Sequence, residues 1–259
     1  VPNQFLDDYM AWVFATLGRR LYVIGSDYIY PRTLAVIIQA LARAAGAEVA
    51  AERYVPLGGT DFRAHVEEIG ALRPDVIVSN LVGSDSVGAF YRGFHAAGHS
   101  ADTLPIAATV TTEVEVQAIG AEYAAGHFMT ATYFGSLDNP ANRRYVAAIK
   151  ARFGQDAVTH VPQVGAYNAV RLLAAAAERA DGLDAASLRA ALIGTTFAGN
   201  PEGWPITVSR NGHTNHPSYI GRGRADGQFD VVAAFPPRDP DPYHPSIVTG
   251  ARRPAGAGA

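Results

Sequence analysis

The sequence predicts an α/β protein: a doubly wound, parallel-sheet lobe followed by a mainly helical stretch that lacks a sheet of its own. Three observations predict it. Short apolar runs at residues 21–24 and 75–79 break off into Gly, Ser, Asn or Asp, as strands buried on both faces do. Helical stretches between them carry apolar residues three, four and seven apart. The connections are short, which implies parallel pairing with right-handed crossovers.

Composition sets the outer bounds. The chain has 259 residues, 48% hydrophobic and 17% charged, with a net charge of −3 and no cysteine. That is ample apolar mass for a core. The charge gives no reason to expect nucleic acid or an anionic membrane. The missing cysteines exclude disulfides, thiolate metal sites and a cysteine nucleophile. No apolar run approaches the length of a membrane span, and the first residues, with Asp7 and Asp8, do not read as a signal peptide.

The elements follow in order. A first helix is expected over residues 5–17, then a strand over 21–24 that runs into Gly25-Ser26-Asp27-Tyr28-Ile29-Tyr30-Pro31. Pro31 suits the first helical position. The helix after it places Leu34, Ile37, Ile38, Leu41 and Ala45 on one face and stops at Gly46. A strand over 48–55 precedes a helix capped by Thr60, with Phe62, Val66, Ile69 and Leu72 inward. The strand at 75–79 leads through Val82-Gly83-Ser84-Asp85 into a helix ending near Gly98. Further strands are expected at 104–109 and 127–133, with a short helix over 112–119 between them.

Residues 1–135 thus read as a complete lobe. Residues 136–212 change character. Pro140 opens a helix with Tyr145, Val146, Ile149 and Phe153 on one side. A long alanine-rich helix over 162–180 points Tyr167, Val170 and Leu173 inward, and another helix follows from Asp184. A strand at 205–208 and a tight turn at Asn211-Gly212 close this part. Residues 213–235 form a hairpin around Ala225-Asp226-Gly227 that rejoins the lobe. Residues 236–259, rich in proline and glycine, read as an extended or disordered tail.

In an open α/β sheet, ligands bind at the carboxyl ends of the strands. Those loops hold Ser26, Asp27, Tyr28 and Tyr30, then Val82, Gly83, Ser84 and Asp85, then Val110, Thr111 and Thr112, and last Tyr133. The set is aromatic and hydroxyl-rich, with no cluster of Arg or Lys. It suits a small, planar, uncharged polar ligand. Phosphate-binding glycine motifs and a G-x-S-x-G nucleophile are absent, and Gly221-Arg222-Gly223 falls in the hairpin rather than at a strand–helix turn. The eight histidines lack a metal-ligand pattern and read as solvent-facing; His95 and His99 are four apart, but Gly98 ends their helix. No cofactor, metal or catalytic set is expected.

Several motifs, in order over about residues 1–235, carry a family likeness. They are residues 25–32 (Gly-Ser-Asp-Tyr-Ile-Tyr-Pro-Arg), Pro56-Leu57-Gly58-Gly59-Thr60-Asp61, Pro74-Asp75-Val76-Ile77, Glu113-Val114-Glu115-Val116, Tyr133-Phe134-Gly135-Ser136-Leu137-Asp138 and Ala198-Gly199-Asn200-Pro201-Glu202-Gly203. Together they resemble type I periplasmic binding proteins of the urea and short-chain amide receptor group. The resemblance implies two lobes that close on a ligand. It implies a substrate-binding subunit of an ABC importer for urea or a short amide, extracytoplasmic and partnered by permease subunits. Alternatives are a cytoplasmic amide sensor restraining an RNA-binding antiterminator, and a truncated remnant that binds nothing. By this resemblance Tyr28 and Tyr30 contact the ligand, while Val82, Gly83, Val110, Thr111 and Tyr133 line the cleft. The amide sensor carries a threonine, and the urea receptors a serine, at the position of Val110. The chain is expected to start at the first hinge crossing, so that 136–212 are the returning helices of an incomplete lobe.

Overall fold

The computed structural model describes residues 1–243. A seven-stranded sheet organises it, with spatial order β2-β1-β3-β4-β5-β8-β9. β1 (Arg20–Ser26), β2 (Glu48–Val55), β3 (Val76–Asn80), β4 (Ile106–Ala108) and β5 (Phe128–Ala131) pair in parallel. β8 (His216–Gly223) and β9 (Phe229–Arg238) add to β5 as an antiparallel hairpin. The α/β class and the doubly wound, mostly parallel sheet are therefore as the sequence predicts. The order 2-1-3-4-5 reverses direction between β1 and β3, which fixes a crevice outside their carboxyl ends.

The strand residues divide between two helical layers. α1 (Leu6–Thr16) and α2 (Ile29–Ala45) cover one face, where Met10, Val13, Leu34 and Ile38 meet Leu21, Val23, Val76 and Val78. α3 (Arg63–Leu72), α4 (Ser84–Ala96), α5 (Glu113–Ile119) and the single turn α6 (Ala121–Ala124) cover the other, where Phe62, Phe90, Phe94 and Val116 meet Tyr22, Ile24, Ile77 and Ile106.

Several local expectations shift. Helix α2 begins at Ile29, so Pro31 is its third residue rather than its first. The first four N–H groups of a helix lack partners inside it, so this position also costs no bond. Thr60 is exposed and caps nothing; the helix starts after Phe62, whose ring packs 5.2 Å from Phe90, and Asp61 accepts from the Arg63 amide. His127 is not solvent-facing: it is 5% exposed, and its Nδ1 accepts from the Ile106 amide at 2.9 Å.

The helical part comprises α7 (Pro140–Phe153), α8 (Val161–Ala177) and α9 (Ala185–Leu192), with a two-stranded ribbon of β6 (Thr196–Phe197) and β7 (Ile206–Thr207). Asn139 and Asp184 cap α7 and α9 with their side chains. On α8 the buried stripe is Val164, Asn168, Leu172 and Ala176, while Val170 is 66% exposed and Leu173 44%. The stripe is displaced because Asn168 turns inward to donate to Glu202, a carboxylate only 1% exposed. Phe153 at the end of α7 is likewise exposed. β9 runs on to Arg238, past the Pro236-Pro237 pair expected to begin the tail. Arg238 bonds Asp7 and Asp8 on α1, which holds this end in place. The expectation for 244–259 lies outside the described residues.

Candidate functional site

A cavity of about 450 Å³ opens at the carboxyl ends of β1, β3, β4 and β5. Each strand delivers its wall through the residue at which it stops. Tyr30 comes from the first turn of α2, after β1. Val82 and Gly83 follow β3, where Gly83 takes φ +94 as the N-cap of α4 and lets the chain turn sharply without a Cβ. Thr109 and Val110 follow β4, and Ala131 and Thr132 end β5. The remaining wall comes from Phe5 before α1, from His160, Val161 and Pro162 at the start of α8, and from His216 at the start of β8.

The predicted loop residues divide. Tyr30, Val82, Gly83 and Val110 line the cavity; Ser26, Asp27, Tyr28, Thr111 and Tyr133 do not. Ser26 is fully buried, and its Oγ accepts from the Val82 amide at 3.0 Å. It holds one lining loop in position. Asp27 turns outward to Arg32 at 2.7 Å, and that hydrogen bond lowers its carboxyl below the usual range. Tyr28 occupies the N-cap position of α2 and stacks on Tyr30 with ring centres 6.3 Å apart. Thr111 is 3% exposed. Tyr133 is fully buried, with its hydroxyl 2.7 Å from both Asn142 Oδ1 and Thr159 Oγ1. It fastens the exit of β5 to the helical part.

Of the polar groups in the lining, Tyr30 and Thr112 belong to the predicted loop set, while Thr109, Glu115 and His216 do not. Thr109 donates from Oγ1 to Asn80 Oδ1 at 2.8 Å. Burial pushes the Tyr30 hydroxyl up to about 12, against a hydrogen bond with Thr109 that works the other way, so it stays protonated. Thr112 and Glu115 cap α5 reciprocally, and both reach the rim. His216 sits between Glu202, 2.8 Å from its Nδ1, and the Thr214 hydroxyl, 2.5 Å from its Nε2. Among the described residues, no lysine or arginine lines the cavity. Among the described residues there is no group of three or more His, Cys, Asp or Glu side chains able to hold a metal ion.

Beside the cavity, Glu113 opens α5 with 1% exposure. Its Oε1 accepts from the Gly135 amide at 2.7 Å, while Oε2 has no hydrogen-bond partner among the described residues. Burial raises this carboxyl to about 7.

A periplasmic binding protein domain family model matches residues 1–248. The chain belongs to the periplasmic binding protein family. Among solved structures it is similar to an ABC-transporter solute-binding protein from Rhodopseudomonas palustris in complex with benzoate, with a TM-score of 0.79 and 21% identity over 91% of this chain and 63% of the other. A second, from Rhodopseudomonas palustris BisB5 and in complex with 3,4-dihydroxybenzoic acid, gives 0.80 and 22% over 90% and 64%. A leucine-binding protein from Thermotoga maritima gives 0.75 and 21% over 90% and 65%. These likenesses establish the fold, and the chain spans under two thirds of the length of each. A limonene hydroxylase from Geobacillus stearothermophilus is 36% identical over 114 residues, which are 44% of this chain and 21% of that protein.

Proposed function

We propose that this chain supplies one wall of the ligand cleft in an extracytoplasmic solute-binding protein serving an ABC importer. The proposed ligand is small, planar and uncharged, of the urea or short-chain amide class. The observation that carries the reading is the cavity at the reversal point of the sheet, walled by Tyr30, Val82 and Val110 with threonine hydroxyls between them. Flat apolar walls with a few placed hydrogen-bonding groups are what small-molecule sites consist of. Among the described residues the lining holds five hydroxyl side chains and no lysine or arginine, which supports a neutral ligand. Binding, and not catalysis, is the role proposed, with permease subunits as partners. No helix among the described residues is long and apolar enough to cross a membrane.

A second reading, an aromatic acid, draws on the benzoate complexes named above and on the apolar extent of the lining. Phe5, Met129, Val161 and Pro162 widen the cavity beyond what urea fills. Titration calorimetry with urea, acetamide, benzoate and leucine separates the two. Heat with urea or acetamide and none with benzoate supports the first reading; the reverse selects the second. Leucine alone, or no heat with any of the four, contradicts both.

A further inference from the structure

The floor of the cavity carries a polar row that the family motifs do not include. β3 pairs with β4 at Ser79–Ala108, and β4 with β5 at Ala108–Met129. One step further on, Asn80, Thr109 and Thr130 fall side by side on three adjacent strands. All three are buried, at 0%, 6% and 2% exposure, yet Thr109 and Thr130 belong to the cavity lining. Asn80 lies behind them and fixes Thr109 through the 2.8 Å bond to its Oγ1.

This row is only half used. Asn80 Nδ2 and Thr130 Oγ1 have no hydrogen-bond partner among the described residues. Buried polar groups are nearly always paired, because an unpaired one keeps the whole cost of leaving water. Packing alone would be served at lower cost by valine, which has the shape of threonine without the hydroxyl. The row itself offers uncharged donors and acceptors only. A carboxamide or urea head supplies one carbonyl acceptor and N–H donors, which complements such a set.

We propose that Thr109 and Thr130 read the polar head of the ligand as a neutral carboxamide or urea group. Asn80 is the positioning residue: by taking the Thr109 proton it leaves that oxygen to accept an N–H of the ligand. The assignment rests on the cleft reading given above and deepens it.

Titration calorimetry with acetamide and acetate tests it, with thermal melting as the check on folding. Thr109→Val and Thr130→Val each weaken acetamide binding about tenfold. Thr109→Ser, which keeps the hydroxyl, stays within about twofold of the parent. Asn80→Ala narrows the preference for acetamide over acetate, a ratio that a purely structural role would leave alone. If the parent protein binds acetamide and the folded valine variants bind it equally well, the assignment falls and the cleft reading stands. An Asn80→Ala protein with the full preference overturns the positioning role, whether or not the valine variants fold. If the parent protein takes up neither probe, the amide reading of the cleft fails and this assignment fails with it.

Discussion

Glu113→Gln should remove part of the pH dependence of stability, and the burial of this carboxyl sets the sign. The Glu113 carboxyl is 1% exposed, accepts one backbone N–H from Gly135, and has Oε2 without a partner among the described residues. Burial raises it from its ordinary 4.5 to about 7, with Glu115 adding repulsion. The folded state therefore holds this proton more tightly than the unfolded chain does. Its stabilising effect is fully present below about pH 4.5, declines as the pH rises, and is gone above about pH 7. A shift of this size corresponds to about 3 kcal/mol. Glutamine keeps the acceptor for Gly135 and cannot ionise. Urea unfolding of both proteins from about pH 4 to about pH 8 measures the effect. The variant's stability relative to the parent should climb by ~3 kcal/mol across that range. Any fixed cost of burying the extra amide shifts the whole curve without changing its slope. A constant difference at every pH would refute the argument, because it would mean that the carboxyl ionises as freely in the folded protein as in the unfolded one.

Two further predictions concern buried groups. His127, held near 4 by burial, favours folding only while neutral, so its contribution is present above about pH 6.5 and lost as the pH falls toward 4. His127→Gln should flatten that acid-side loss in the same urea experiment, and an unchanged acid limb would contradict it. Tyr133→Phe removes the hydroxyl shared by Asn142 and Thr159, and should cost about 1–3 kcal/mol of stability by urea unfolding. An unchanged midpoint would mean that the exit of β5 is held by packing alone.

The parts of the fold that the sequence made legible are those where one physical signal dominates. β2 matches its expected bounds of 48–55, and α2 ends at Gly46, whose φ of +66 takes the left-handed form that glycine allows at a helix end. Where two signals competed, propensity lost. Thr60 is a good capping residue, but burying Phe62 against Phe90 starts α3 later. Val170 and Leu173 are the more apolar side of α8, yet the inward side is set by Asn168, because Glu202 needs its amide. A polar residue facing the core breaks the rule that periodicity depends on, and no local pattern announces it.

The site was legible at the level of loops and not of side chains. The strand–loop junctions converge as expected, because the sheet order decides which crevice they border. Which residue in each loop faces that crevice depends on where the strand stops and which hydrogen bonds the loop makes. Ser26 looked available and is taken by the Val82 amide; Tyr133 looked like a wall and is taken by Asn142 and Thr159. Thr109, by contrast, was counted inside a strand, where alternation leaves either face open. Only the pairing of β4 with both β3 and β5 puts it level with Asn80 and Thr130. That relation joins residues 21 to 50 positions apart in the chain. Register across a parallel sheet is a non-local quantity, so a polar row of this kind comes into view only once the strands are paired.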